Sequence, residues 1–125
     1  MLKIIRFFIV PATASMLLLG FTLTAAIADW YNSCTPKHVA VFAVKPYQRI
    51  HVECTEPAPG TDYIYFAYYG AKKFSPDSDR FLNLITFAMQ NSKTLAIEFD
   101  PSDQSGSKIG CLTPDCRLIQ SLYVY

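Results

Sequence analysis

An excess of charge of either sign is what this chain most clearly lacks. Its 125 residues carry 11 basic and 10 acidic side chains. Lys3 and Arg6 both precede an N-terminal apolar run, so the rest of the chain holds nine bases against ten acids. A protein this near neutrality has no field to hold a phosphate backbone, which makes nucleic acid a poor expected partner. Histidine is scarce as well, with His38 and His51 the only two. No Gly-x-Ser-x-Gly string marks a serine nucleophile. Asp100, Asp103 and Asp115 lack the twelve-residue spacing of a calcium loop. Nothing singles out a pair among Glu53, Glu56 and Glu98 for sugar hydrolysis. There is no internal repeat, no low-complexity tract, and no second apolar run long enough to cross a bilayer. The expectation is a non-catalytic protein with no metal and no cofactor.

What is present begins with an address. Lys3 and Arg6 form a positive n-region, residues 7–23 are largely apolar, and Ala26-Ile27-Ala28 is a small-x-small cleavage pattern. The expected cut falls between Ala28 and Asp29. Asp29 stands where a lipoprotein needs cysteine, so lipid anchoring is not expected. Residues 1–28 are read as a signal peptide and residues 29–125 as one small domain, periplasmic or secreted, with no stable membrane insertion after cleavage.

All four cysteines follow the leader. In an oxidising compartment they read as two disulfides, and three pairings are open. The Cys111-Leu-Thr-Pro-Asp-Cys116 loop contains a Pro-Asp turn signal and favours a local Cys111–Cys116 bridge. Cys34 is left to pair with Cys54. Zinc wants two short-spaced ligand pairs, and Cys34 and Cys54 are too far apart for that. A redox pair wants two intervening residues where Cys111 and Cys116 have four.

Residues 29–37 read as an irregular lead-in. A β-branched run at 38–44 and an alternating run at 49–54 form a hairpin about the turn at 45–48. Centred there, it places Cys54 opposite Val39 and His51 opposite Phe42. The two histidines then lie well over ~10 Å apart, too far to share one phosphate. A breaker cluster at 56–61 precedes a third, aromatic strand at 62–69. Ser75 suits a helix N-cap and Pro76 the first helical position, with Asp77 and Asp79 at the positive end of the dipole. Phe81, Leu84, Ile85, Ala88 and Met89 form the apolar stripe, widened by Leu82 and Phe87 into a helix packed on two sides. Strands at 94–100 and 117–125 complete a mainly β chain of order β-β-β-α-β-β. That order predicts a small OB-like barrel with one helix, and its alternative is an open α+β sheet.

The stretch from Arg80 to Asp100, RFLNLITFAMQNSKTLAIEFD, followed by the cysteine pair, resembles part of a known group. It is similar to the helix-plus-strand half of small exported OB-type proteins, among them the receptor-binding B subunits of pertussis-like and subtilase-type bacterial toxins. The resemblance covers about the last 50 residues. It implies an export signal, an OB-like fold, internal disulfides and ring assembly. Those subunits bind sialylated glycans through a Ser-centred pocket. No matching motif occurs here, so no glycan-binding residue carries over.

The aromatic strand is the strongest lead to a site. Tyr63, Tyr65 and Tyr69 share one face in strand alternation and form an expected stacking platform, although tyrosine suits any half-buried strand. The expected function is a binding module for a protein or glycan. Its alternatives are a structural or assembly subunit, including a homo-oligomer, and a small secreted hydrolase using His51.

Overall fold

The computed structural model describes residues 27–69 and 76–125. The expected leader lies outside them except for its last two residues, and so does Ser75. The elements are β1 (Asp29–Cys34), β2 (Pro36–Phe42), β3 (Arg49–Cys54), β4 (Tyr65–Tyr68), α1 (Pro76–Gln90), β5 (Leu95–Phe99) and β6 (Cys116–Val124). A short 3-10 turn, Ser105–Ile109, interrupts the loop between β5 and β6.

The six strands form one mixed sheet in the order β1-β5-β6-β4-β3-β2. Neighbours are antiparallel except β4 and β6. The sheet is not closed: β1 and β2 are its edges, and no ladder joins them. The fold matches the open α+β alternative rather than a closed barrel. The reason is covalent. Only Thr35 separates β1 from β2, and antiparallel pairing needs at least a two-residue turn between partners.

The sixth strand is the lead-in that reads as irregular. It has no clean alternation, but the outer edge of β5 is free to pair with it. Tyr31 is buried there, its ring 6.0 Å from Phe66 and its hydroxyl donating to the Glu56 carbonyl at 2.8 Å.

One face of the sheet carries the main core. Val52, Phe66, Leu95, Ile97 and Phe99 are fully buried against Ile85 and Ala88 of the helix. Burying each large apolar side chain contributes about 1.5–3 kcal/mol. The helix packs along one stripe only. Phe81 and Leu82 flank the core, whereas Leu84, Phe87 and Met89 are exposed. At its C-terminus Ser92 takes a left-handed φ of 52°, and the Lys93 amide donates back to the Ala88 carbonyl at 2.9 Å. That bond satisfies one of the carbonyls a helix end leaves open.

The Cys34–Cys54 disulfide lies within this core and ties the β1–β2 junction to the end of β3. The Cys111–Cys116 disulfide sits on the opposite face, where it packs on Ala67 with Tyr65 and Leu118 beside it. Gly106 is pressed onto that bridge: a Cβ there would stand 3.0 Å from the Cβ of Cys111 and 3.1 Å from Leu118. The β5–β6 loop is thus held down on the sheet face that the helix leaves uncovered.

Candidate functional site

The hairpin sets the geometry. The Tyr47 amide donates to the Val44 carbonyl at 2.8 Å, so the turn centres on Lys45 and Pro46. That is one residue earlier than the expected centre, and it moves the register by two. His38 pairs with Glu53 and Ala40 with His51, and an irregularity between Pro36 and His38 then sets Pro36 opposite Cys54. A shift of two keeps every side chain on its face but changes its neighbours. His38 and His51 become diagonal neighbours on the uncovered face, a separation on the order of 7–8 Å between Cα atoms rather than more than ten. Both line one groove of about 170 Å³, together with Ala40, Phe42, Glu53 and Tyr65.

The expected tyrosine platform does not assemble as one surface. Tyr65 lies in this groove, its ring 5.2 Å from His51 in an edge-to-face contact. Tyr69 lines a second groove of about 370 Å³ with Pro46, Ser105, Lys108, Ile109 and Leu118. Tyr63 is on the core side, edge-on to Phe99 at 5.8 Å. The cause is local. The Ile64 and Tyr65 amides both donate to the Asp115 carbonyl at 3.0 Å, so regular alternation starts only at Tyr65. Tyr63 instead serves Arg117. The guanidinium stacks 4.0 Å above the phenol ring and donates to its hydroxyl at 2.9 Å.

Arg49 joins the two grooves. Its Nη1 donates to the Ile109 carbonyl at 2.7 Å and the Tyr47 carbonyl at 3.2 Å. Its Nε donates to His51 Nδ1 at 3.2 Å, and its Cζ lies 3.8 Å from the centre of the Phe42 ring. Gly110 makes the close approach possible. It has φ +82°, and a Cβ there would meet Arg49 Nη1 at 2.9 Å.

Glu53 anchors the other end. Its carboxylate accepts from Lys37 Nζ at 3.0 Å and faces His38 Nδ1 at 2.9 Å. The His38 bond first, and Lys37 second, hold its carboxyl below the ordinary 4.5. Burial, then the Arg49 charge, push the His51 imidazole below 6.5. Arg49, Glu53 and Phe42 did not stand out in the sequence as site residues. For Arg49 and Glu53 the signal was the outward set of the alternating strand, which gains meaning only once the turn centre is known; Phe42, on β2, had none.

These shifts predict a pH dependence of stability. For His51 the unfolded chain takes a proton more readily than the folded one. Stability therefore rises with pH across the window between the depressed folded value and 6.5, and is flat above it. Glu53 and Asp100, both depressed, lose their contribution as pH falls through their folded values, below 4.5 and 3.8 respectively. Between pH 7 and pH 3 the urea midpoint should be flat down to 6.5, fall below that as His51 titrates, and fall again below 4.5 as the carboxylates titrate. A His51→Gln variant should lose the upper part of that slope and keep the lower. An unchanged slope in the variant would show that His51 does not titrate in this way.

Among the described residues no group of three or more His, Cys, Asp or Glu is placed to hold a metal ion. No described helix is long and apolar enough to cross a membrane.

No family model matches the chain. The curated proteins contain no significant match either. The functional reading therefore rests on the groove and its surroundings.

Proposed function

We propose that this chain is an exported, non-catalytic binding module that takes a protein or glycan partner on the uncovered face of β2, β3 and β4. One observation carries the reading. The helix covers one face of the sheet, while the other holds one groove over β2, β3 and β4 and a second between the hairpin turn and the disulfide-pinned loop. Aromatic walls with a few fixed polar groups are the usual composition of a ligand site. Arg49 donates to His51 Nδ1, so the proton of that ring sits on Nε2, where it can be given to a ligand.

We also read the sheet as an opened OB-type barrel, in which one bent run, β1 through β2, supplies both unpaired edges. The order of strands and the helix between β4 and β5 support that reading. In such barrels the second and third strands and their flanking loops form the ligand face, here β3 and β4 with residues 43–48 and 100–115. The two disulfides fit an oxidising location outside the cytoplasm, and a leader cut at Ala28-Asp29 is proposed from the sequence pattern. The likeness to toxin B subunits is proposed on the same order of elements.

The test is a fragment screen read by amide NMR shifts. Hits should cluster on residues of β2, β3 and β4. Tyr65→Ala, at preserved thermal stability, and Ala40→Trp, which fills the groove, should each weaken them about tenfold or more. Hits scattered over the surface, or indifferent to both variants, would end this reading.

An assembly role has its own support. Trp30 and Tyr123 are exposed with ring centres 5.4 Å apart, and Tyr125 is exposed nearby in sequence. Sedimentation should show a species larger than a monomer that Trp30→Ala dissociates. A strict monomer at about 100 μM would count against assembly, since a 1 μM contact would be nearly saturated there.

A further inference from the structure

From the hydrogen bonds that lock the two imidazoles, we infer that the groove between His38 and His51 is a subsite for a neutral saccharide ring. This inference rests on the binding-module reading and deepens it.

The two histidines are held in opposite tautomers. Glu53 is ionised near neutral pH and can only accept, so the His38 ring points a proton at it from Nδ1, and in the neutral form that is the ring's one proton. Its Nε2 is left as an acceptor. Arg49 can only donate, so His51 Nδ1 carries the lone pair. Its Nε2 is left as a donor. Sequence scarcity sharpens the point: the only two histidines of the chain line one groove and offer one acceptor and one donor. A hydroxyl both gives and takes a hydrogen bond. Two neighbouring hydroxyls on a sugar ring can satisfy both imidazoles at once.

The charges argue for a neutral ring. Glu53 is engaged by Lys37 and His38, and Arg49 by two carbonyls and His51. A carboxylate or phosphate on the ligand would compete with bonds already made and meet Glu53 in the groove. Phe42, Tyr65 and Ala40 supply apolar wall for the C–H face of a ring. A volume of about 170 Å³ is on the scale of one such ring.

The experiment uses the mature chain and NMR. Long-range nitrogen–proton spectra at pH 8 should show His38 as the Nδ1–H tautomer and His51 as the Nε2–H tautomer. Glu53→Gln, whose amide can donate, should release His38 from that tautomer while leaving His51 unchanged. Titration with methyl glucoside, methyl galactoside, cellobiose and maltose should move His38, His51 and Tyr65 signals for at least one of them. Glucuronate and uridine monophosphate should bind at least tenfold more weakly. His38→Ala should weaken the sugar about tenfold, the worth of one hydrogen bond. His38 is mostly exposed, so the variant should fold. Identical tautomers on the two rings, or preference for the acidic ligand or the nucleotide, would overturn the inference. If other fragments bind the groove while every neutral sugar fails, the inference falls and the binding-module reading stands. If nothing binds there, both fall.

Discussion

Arg117→Ala should lower the unfolding free energy by about 3 kcal/mol, near the upper end for single substitutions. Arg117 is 5 % exposed, yet every guanidinium nitrogen has a partner. Nε donates to the Pro101 carbonyl at 2.8 Å, Nη1 to the Cys116 carbonyl at 2.7 Å and Nη2 to the Tyr63 hydroxyl at 2.9 Å. The stack on Tyr63 adds a fourth contact. Truncation removes all four and strands buried acceptors, each costing on the order of 1–3 kcal/mol if water cannot reach it. The penalty of burying the charge is relieved at the same time, which keeps the net near 3 rather than higher. Tm should fall by about 15 °C for a domain of this size. Arg117→Lys should recover little, because an ammonium cannot reproduce the planar fork that serves three acceptors at once. A loss under about 1 kcal/mol in the alanine variant would mean that the loop after β5 is held by other contacts.

Removing the Cys34–Cys54 bridge should cost about 3 kcal/mol, and removing Cys111–Cys116 about 2 kcal/mol. The difference follows loop length, 20 residues of separation against five, because the longer loop has more freedom to lose in the unfolded chain. The first figure is a large share of the stability of a small domain. Both sulfurs are fully buried, so the Cys34→Ala, Cys54→Ala variant also loses packing in the core. The second bridge should matter more for the site than for the fold. The Cys111→Ala, Cys116→Ala variant should loosen the floor under Ile109 and Lys108 and speed amide exchange across residues 105–116. Paired urea melts check the stabilities. Equal losses for the two bridges would contradict the loop-length account.

Local grammar was easy to read along this chain. Pro76, Asp77 and Asp79 open the helix, and it ends at Gln90, just before Asn91 and Ser92. The alternation in residues 49–54 gives β3 its burial pattern without exception: Ile50, Val52 and Cys54 in, Arg49, His51 and Glu53 out. These features lie within a few residues of one another, so nearest-neighbour sterics and polarity decide them. The strand β1 was not legible, because what makes it a strand is the free edge of β5 some 60 residues later in the chain. Tyr63 misled for a similar reason. One carbonyl, that of Asp115, takes two successive amides and ends the alternation just before β4.

The site was half legible. Tyr65, His51 and the outward face of β3 could be named from alternation alone. Their meeting with His38 could not, since it turns on whether a hairpin pivots between residues 45 and 46 or one position later. That step costs no change of face, so hydrophobic patterning is blind to it. The hydrogen bond from Tyr47 to Val44 settles it.

Composition and order of residues were enough to assign one small β-rich domain with a single helix, because burial periodicity is written in the chain itself. Which edges stay open, which histidine faces a carboxylate and which a guanidinium, and where Arg117 finds its three acceptors emerge only on folding. Those properties depend on backbone groups far apart in the chain, and a carbonyl carries no signature in the side-chain alphabet.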